Sequence, residues 1–159
     1  MRPVLFLDID GVILPGSALR DQLTRKARKL RDGYLFPHEI TARLNRIAIE
    51  TGAQVCVSSS WRYDELFRER FVRAGFAGVY HDDWRTRTDM AMSQGGLYLG
   101  RTRGDEIAAW LNEHPDVRSW AIVDDDPDML PNQLDRFVQT DFETGLTDAA
   151  AEQVRGLLS

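Results

Sequence analysis

Three short apolar runs in this chain end in groups able to do chemistry, and that pattern constrains the fold more than any other feature. Pro3-Val4-Leu5-Phe6-Leu7 runs into Asp8 and Asp10, and Gln54-Val55-Cys56-Val57 into Ser58, Ser59 and Ser60. Ser119-Trp120-Ala121-Ile122-Val123 runs into Asp124, Asp125 and Asp126. A continuous apolar run of this length suits a strand buried on both faces. Between the runs the period changes. Ile40, Leu44, Ile47 and Ala48 recur at helical spacing until Gly52, and residues 61–74 form a second helical stretch up to Gly75. Thr102, with Asp105 three residues on, opens a helix that Pro115 closes, and Thr147 caps a final helix to about Leu158. Val79-Tyr80 reads as a weak third strand, residues 84–100 as irregular with a turn at Gly95-Gly96, and residues 137–140 as a fifth strand. Strands alternating with helices predict an α/β fold: a Rossmann-like three-layer α/β/α sandwich around a mainly parallel five-stranded sheet. Ligands of such sheets bind beyond the carboxyl ends of the strands, so the three polar groups are expected to converge at one edge.

The chain has 159 residues, enough for one domain, and its apolar and charged fractions, 43% and 28%, are those of an ordinary globular protein. Its apolar runs fall far short of the roughly 20 residues that span a bilayer. The N-terminal run is interrupted by acid at residue 8, too early for a signal peptide, so the expectation is a cytoplasmic protein without a membrane partner. Cys56 is the only cysteine, which excludes an internal disulfide framework and a cysteine-rich zinc site and suggests a small buried apolar residue. His38, His81 and His114 show no metal-binding spacing and read as surface or cap residues. A net charge of −5 argues against a general polyanion binder. Residues 20–31 are nevertheless basic, with Arg20, Arg25, Lys26, Arg28, Lys29 and Arg31 against Asp21. That segment is either a solvated helix face or a docking surface for a phosphorylated substrate.

At the predicted edge, Asp8-Ile9-Asp10-Gly11 alone could be a turn built on Gly11. Asp124-Asp125-Asp126 changes the weighing, because two unit charges 4 Å apart repel by roughly 4 kcal/mol at an effective dielectric near 20. A divalent cation relieves that repulsion, and hard oxygen ligands suit Mg²⁺. The alternative is an acidic loop facing solvent. Ser58, Ser59 and Ser60 offer hydroxyls and amides before a helix N-terminus, where an anion is favoured; helix capping alone is the competing reading. Arg103, in the first turn after Thr102, is placed either to offset phosphate charge or to face solvent.

In order along the chain, FLDIDGVIL, VSSSW, RTRGDEIAAWL and AIVDDD resemble the four motifs of the haloacid dehalogenase-like (HAD) phosphatase superfamily. Within it the sequence is most similar to the short phosphatase domains of RNA-repair proteins, to which FVQTDFETGLT and Ser59-Ser60-Trp61-Arg62 add. The resemblance implies Asp8 as nucleophile, giving an aspartyl-phosphate, and Asp10 as general acid and then base. It implies a Mg²⁺ site made by the Asp8 carboxylate, the Asp10 backbone carbonyl, Asp124 and Asp125, the last directly or through water. Ser58, with Ser59 close behind, would bind the phosphoryl oxygens, and Arg103 would share in offsetting their charge. The family's third motif usually supplies lysine at the position of Arg103. Guanidinium is larger and planar, which leaves two readings: Arg103 still stabilises the phosphate, or it sits too far out and leaves Arg101 or nothing in the role.

Only residues of about 14–37 are available for a cap, enough for a short basic flap on a single domain over 1–159. An open site suits a bulky substrate, and the expectation is a phosphorylated partner such as an RNA or DNA end. Gly11, Ser59, Trp61 and Arg62 are the predicted substrate-binding residues, and Trp84-Arg85 could help to hold backbone phosphates and stack bases. The alternatives are a small-molecule phosphatase or nucleotidase, and a non-catalytic module that binds phosphate or nucleic acid.

Overall fold

The computed structural model describes residues 2–24, 36–87 and 102–159. Five strands, β1 (Val4–Leu7), β2 (Gln54–Val57), β3 (Val79–Arg85), β4 (Trp120–Asp124) and β5 (Phe137–Gln139), form one sheet in the order β3-β2-β1-β4-β5. Every pairing is parallel. The five helices of the described residues are α1 (Gly16–Thr24), α2 (His38–Thr51), α3 (Phe67–Arg73), α4 (Arg103–Glu113) and α5 (Asp148–Leu158).

Side-chain alternation divides the core between the two faces of the sheet. Leu5, Leu7, Val55, Val57, Ala121 and Val123 pack with Leu44 and Ile47 of α2, Phe67 and Phe71 of α3, and Ala151 and Val154 of α5. Val4, Phe6, Cys56 and Ile122 pack on the opposite face with Ile107 and Trp110 of α4. Apolar surface on both faces is the reason β1 reads as an unbroken apolar run, and it makes the molecule the expected three-layer sandwich. Cys56 is buried in the second cluster, as expected.

The strand order turns back between β1 and β4: β2 and β3 lie to one side of β1, β4 and β5 to the other. Chains leaving the carboxyl ends of β1 and β4 diverge to opposite faces and leave a crevice between them. Asp8 and Asp124 flank that crevice.

Two sequence expectations are corrected. Residues 61–74 are not one helix: a single 3₁₀ turn at Ser60–Tyr63 is followed, after a break, by α3. Asp64 causes the break, since its carboxylate accepts the Leu66 amide at 2.9 Å and Arg70 Nη1 at 2.6 Å and so competes with the helical backbone. The third strand is longer than Val79-Tyr80 and takes in Trp84 and Arg85. It is irregular, because Val55 pairs with Tyr80 but Val57 with Arg85, which places residues 81–84 opposite the single residue Cys56. Gly95-Gly96, Arg101 and the flap residues 25–35, with most of the basic cluster, lie outside the described residues. Among the described residues no helix is long and apolar enough to cross a membrane.

Candidate active site

The site begins with the turn after β1. Asp8 N–H donates to Val123 O at 3.1 Å and Ser58 N–H to Leu7 O at 3.0 Å, which sets the ends of β1, β2 and β4 side by side. The amides of Val12, Ile13 and Leu14 all donate to Ile9 O, closing a tight turn around Gly11. Gly11 has φ +73°, and a Cβ there would lie 2.5 Å from Asp125 Cγ. The glycine therefore meets two demands, left-handed backbone and room for the Asp125 carboxylate. Thr140, just past β5, donates its hydroxyl to Gly11 O at 2.8 Å and fastens the turn from the other side.

Asp8, Asp124 and Asp125 each bring a carboxylate oxygen within 4.8 Å of the others. Asp8 and Asp124 are buried, and burial is the main cause that raises both pKa values, Asp8 to about 6 and Asp124 to about 8. The Asp8 charge adds to the shift at Asp124, whereas Arg103 opposes the shift at both. Asp125 is raised too, again mainly by burial. Asp124 Oδ2 is buried without a hydrogen-bond partner. Hard oxygen donors in mutual repulsion, one of them unsatisfied, fit a divalent cation such as Mg²⁺. The Asp10 carboxylate stands apart from this trio and accepts a hydrogen bond from Trp61 Nε1 at 3.0 Å.

Arg103 reaches the trio. The Thr102–Asp105 capping box starts α4 where the sequence indicated, and Arg103 N–H donates to Asp128 Oδ2 at 2.9 Å. Its guanidinium lies 3.9 Å from Asp8 Oδ1, 3.5 Å from Asp124 Oδ2 and 3.0 Å from Glu106 Oε2. The longer side chain thus sits between the two buried carboxylates instead of swinging outward.

The serines divide their work. Ser59 hydrogen-bonds the Asp8 carboxylate and caps the 3₁₀ turn through Trp61 N–H. Ser58 is wholly buried and its hydroxyl has no hydrogen-bond partner. Trp61 packs against Phe36 and Phe67 with its indole N–H on Asp10, and so both core packing and site contact are present in one residue. Arg62 departs from the substrate-binding expectation. It is 4% exposed, and its guanidinium donates to Ser58 O at 2.6 Å and to Glu106 Oε1 at 2.8 Å. It is a strut joining the serine loop to α4. Trp84 carries the guanidinium of Arg68 4.6 Å from its ring centroid and that of Arg85 at 5.3 Å.

Sequence reasoning missed Glu106, Asp128 and Thr140. Glu106 bridges Arg62 and Arg103 from a buried position, and the one available signal was its place three residues after Arg103 on α4.

Over residues 4–151, from β1 into α5, the sequence matches the family described as the HAD domain in Swiss Army Knife RNA repair proteins. The chain belongs to that HAD family. Neither a curated protein nor a solved structure matches it. The match takes in every residue of this HAD site: the β1 turn, the serine loop, the start of α4 and the acids after β4.

Proposed function

We propose that this HAD domain is a Mg²⁺-dependent phosphomonoesterase that works through an aspartyl-phosphate on Asp8 and acts on phosphorylated nucleic acid or nucleotide ends. The observation that carries the reading is the pairing of Asp8, set among Asp124, Asp125 and Arg103, with a separate carboxyl, Asp10, held by Trp61.

In the first step an Asp8 carboxylate oxygen attacks phosphorus in line, forming an O–P bond as the bond to the leaving oxygen breaks. Asp10 gives its proton to that leaving oxygen. In the second step Asp10 takes a proton from water, the water oxygen bonds to phosphorus, and Asp8 is released with inorganic phosphate. Through both steps the phosphoryl oxygens gather negative charge. Arg103 meets it with fixed positive charge and Ser58 with a free hydroxyl. Mg²⁺, held by Asp8, the Asp10 carbonyl, Asp124 and Asp125, would supply further positive charge that favours ionised Asp8. Arg62 and Glu106 take no proton; they keep the serine loop and Arg103 in place.

The nucleic-acid part of the proposal is supported by the family's description as RNA-repair domains and by the cationic, aromatic surface of Arg68, Trp84 and Arg85. A single domain with a short basic flap belongs to the same reading. Phosphate release from phosphorylated oligonucleotides, nucleotides and sugar phosphates, with Mg²⁺ or with EDTA, tests it. Release that needs Mg²⁺ and is highest on oligonucleotides is expected. Metal-independent release, or release from sugar phosphates alone, would contradict it.

A further inference from the structure

We infer that a cleft beside Asp10, walled by Trp61, Phe142 and Leu19, is a subsite for the nucleoside that bears the phosphate; the inference rests on the proposed phosphatase reading. The cleft has a volume of about 480 Å³ and is lined by Asp10, Leu19, Trp61 and Phe142, within the range of small-molecule sites. Asp10 defines which part of a substrate lies there. If it protonates the leaving oxygen, the space on its side of the site receives the leaving group, and the rest of the lining is one aliphatic and two aromatic side chains.

Both aromatic walls are held in place. Trp61 is fixed by its hydrogen bond to Asp10 and by Phe36 and Phe67. Phe142 is 44% exposed, yet its backbone is tied on several sides. Gly16 N–H donates to Phe142 O at 2.8 Å, and the Asp141 carboxylate accepts the amides of Glu143 and Thr144. The Phe142 ring lies against Gly16 so closely that a Cβ there would come within 2.4 Å of it. Arg20 pairs with Glu143, and Ser17 Oγ donates to Glu143 O at 2.8 Å, so α1 and the turn after β5 form one wall. An exposed aromatic ring on a fixed backbone can stack on a ligand without first being ordered. With the family's description as RNA-repair domains, the aromatic ring that fits beside these walls is a nucleobase joined to the ester oxygen through its sugar. An aliphatic sugar phosphate would leave the exposed Phe142 ring uncovered. A free nucleotide and the terminus of a strand present the same nucleoside here.

The experiment has a binding arm and a kinetic arm. Calorimetric titration of the wild-type protein compares adenosine and uridine with ribose. Kinetics compare kcat/KM for a nucleoside monophosphate and a phosphorylated oligonucleotide with that for ribose phosphate, in wild type and Phe142→Ala. Loss of one stacking partner corresponds to roughly a 5- to 150-fold change per base. Nucleosides are expected to bind more tightly than ribose by that order. Phe142→Ala is expected to lower the ratio of base-bearing to ribose phosphate kcat/KM at least fivefold, with Phe142→Tyr restoring it. A change confined to the mononucleotide identifies free nucleotide as the occupant; a change in the oligonucleotide as well identifies the strand end. Wild type that binds nucleosides over ribose but releases no phosphate from any ester would support the subsite and refute the phosphatase reading. Wild type that releases phosphate yet binds ribose and nucleosides alike, or an unchanged ratio in Phe142→Ala, would overturn the subsite alone.

Discussion

Replacing Glu106 by glutamine leaves the Arg62 guanidinium buried beside a neutral amide. Glu106 Oε1 accepts Arg62 Nη2 at 2.8 Å and Oε2 accepts Arg103 Nη1 at 3.0 Å, with the two side chains of the first pair 4% and 9% exposed. Glutamine can offer its single carbonyl oxygen to one arginine and turns an N–H donor toward the other. Breaking one side of a buried ion pair typically costs about 3–5 kcal/mol, and the retained acceptor puts Glu106→Gln near the lower figure. For a chain of this size 1 kcal/mol corresponds to roughly 2–4 °C in Tm, so the expected fall is about 6–12 °C by circular dichroism. The loss has a second signature. With the Arg103 guanidinium no longer pinned by charge, kcat for phosphate release should fall more than KM changes. Arg62→Met should lose a comparable amount. The double variant Arg62→Met/Glu106→Gln should lose clearly less than the sum of the two single variants, because no Arg62 charge is left buried beside a neutral amide. A Tm for Glu106→Gln within about 2 °C of wild type, or strict additivity in the double variant, would refute the claim that this pair holds the serine loop and Arg103 together.

Metal-free protein should lose stability as pH rises: burial raises Asp8 to about 6 and Asp124 to about 8, so the folded chain binds more protons than the unfolded one above about pH 4. Tm in EDTA should fall by roughly 5 °C or more between pH 5 and pH 8, with Mg²⁺ restoring it at the upper end, whereas a flat profile would count against the buried acid pair. Gly11→Ala forces φ +73° on a residue with a Cβ and drives that carbon into Asp125, so Mg²⁺ affinity should drop about tenfold; an unchanged Mg²⁺ titration would show that Asp125 does not depend on this turn. Trp61→Phe removes the indole N–H from Asp10 and should change the pH profile of kcat while Mg²⁺ affinity stays the same; an unaltered profile would remove Trp61 from any role in positioning the acid.

The strand ends were legible because a parallel strand covered on both faces must be apolar throughout, and the first polar residue after it marks the edge where ligands bind. The start of α4 was legible for a local reason, since Thr102 and Asp105 satisfy each other's backbone within one turn. What escaped the sequence depended on contacts between distant segments. Arg62 read as a substrate-binding residue beside Trp61, and only the approach of the serine loop to α4 turns it inward to Glu106. The break at Asp64 depended on a carboxylate choosing a local amide and Arg70 over the helix. Phe142 sat in a polar turn with no period to single it out, and its relation to Asp10 and Trp61 arises from the return of the chain past β5. The reach of the Arg103 side chain was also hidden in the sequence, and it lies 3.9 Å from Asp8 and 3.5 Å from Asp124.

The most direct test of the central claim is to look for the phosphoryl group on Asp8. The protein is mixed briefly with Mg²⁺ and a phosphate-labelled substrate that it hydrolyses, quenched in acid, and its peptides mapped for an acyl-phosphate label. The proposed chemistry predicts label on the peptide containing Asp8, none in Asp8→Asn, and phosphate release in Asp8→Asn down by ~10³-fold or more. Phosphate release that continues in Asp8→Asn at a similar rate, with no label on Asp8 in the wild type, would contradict it.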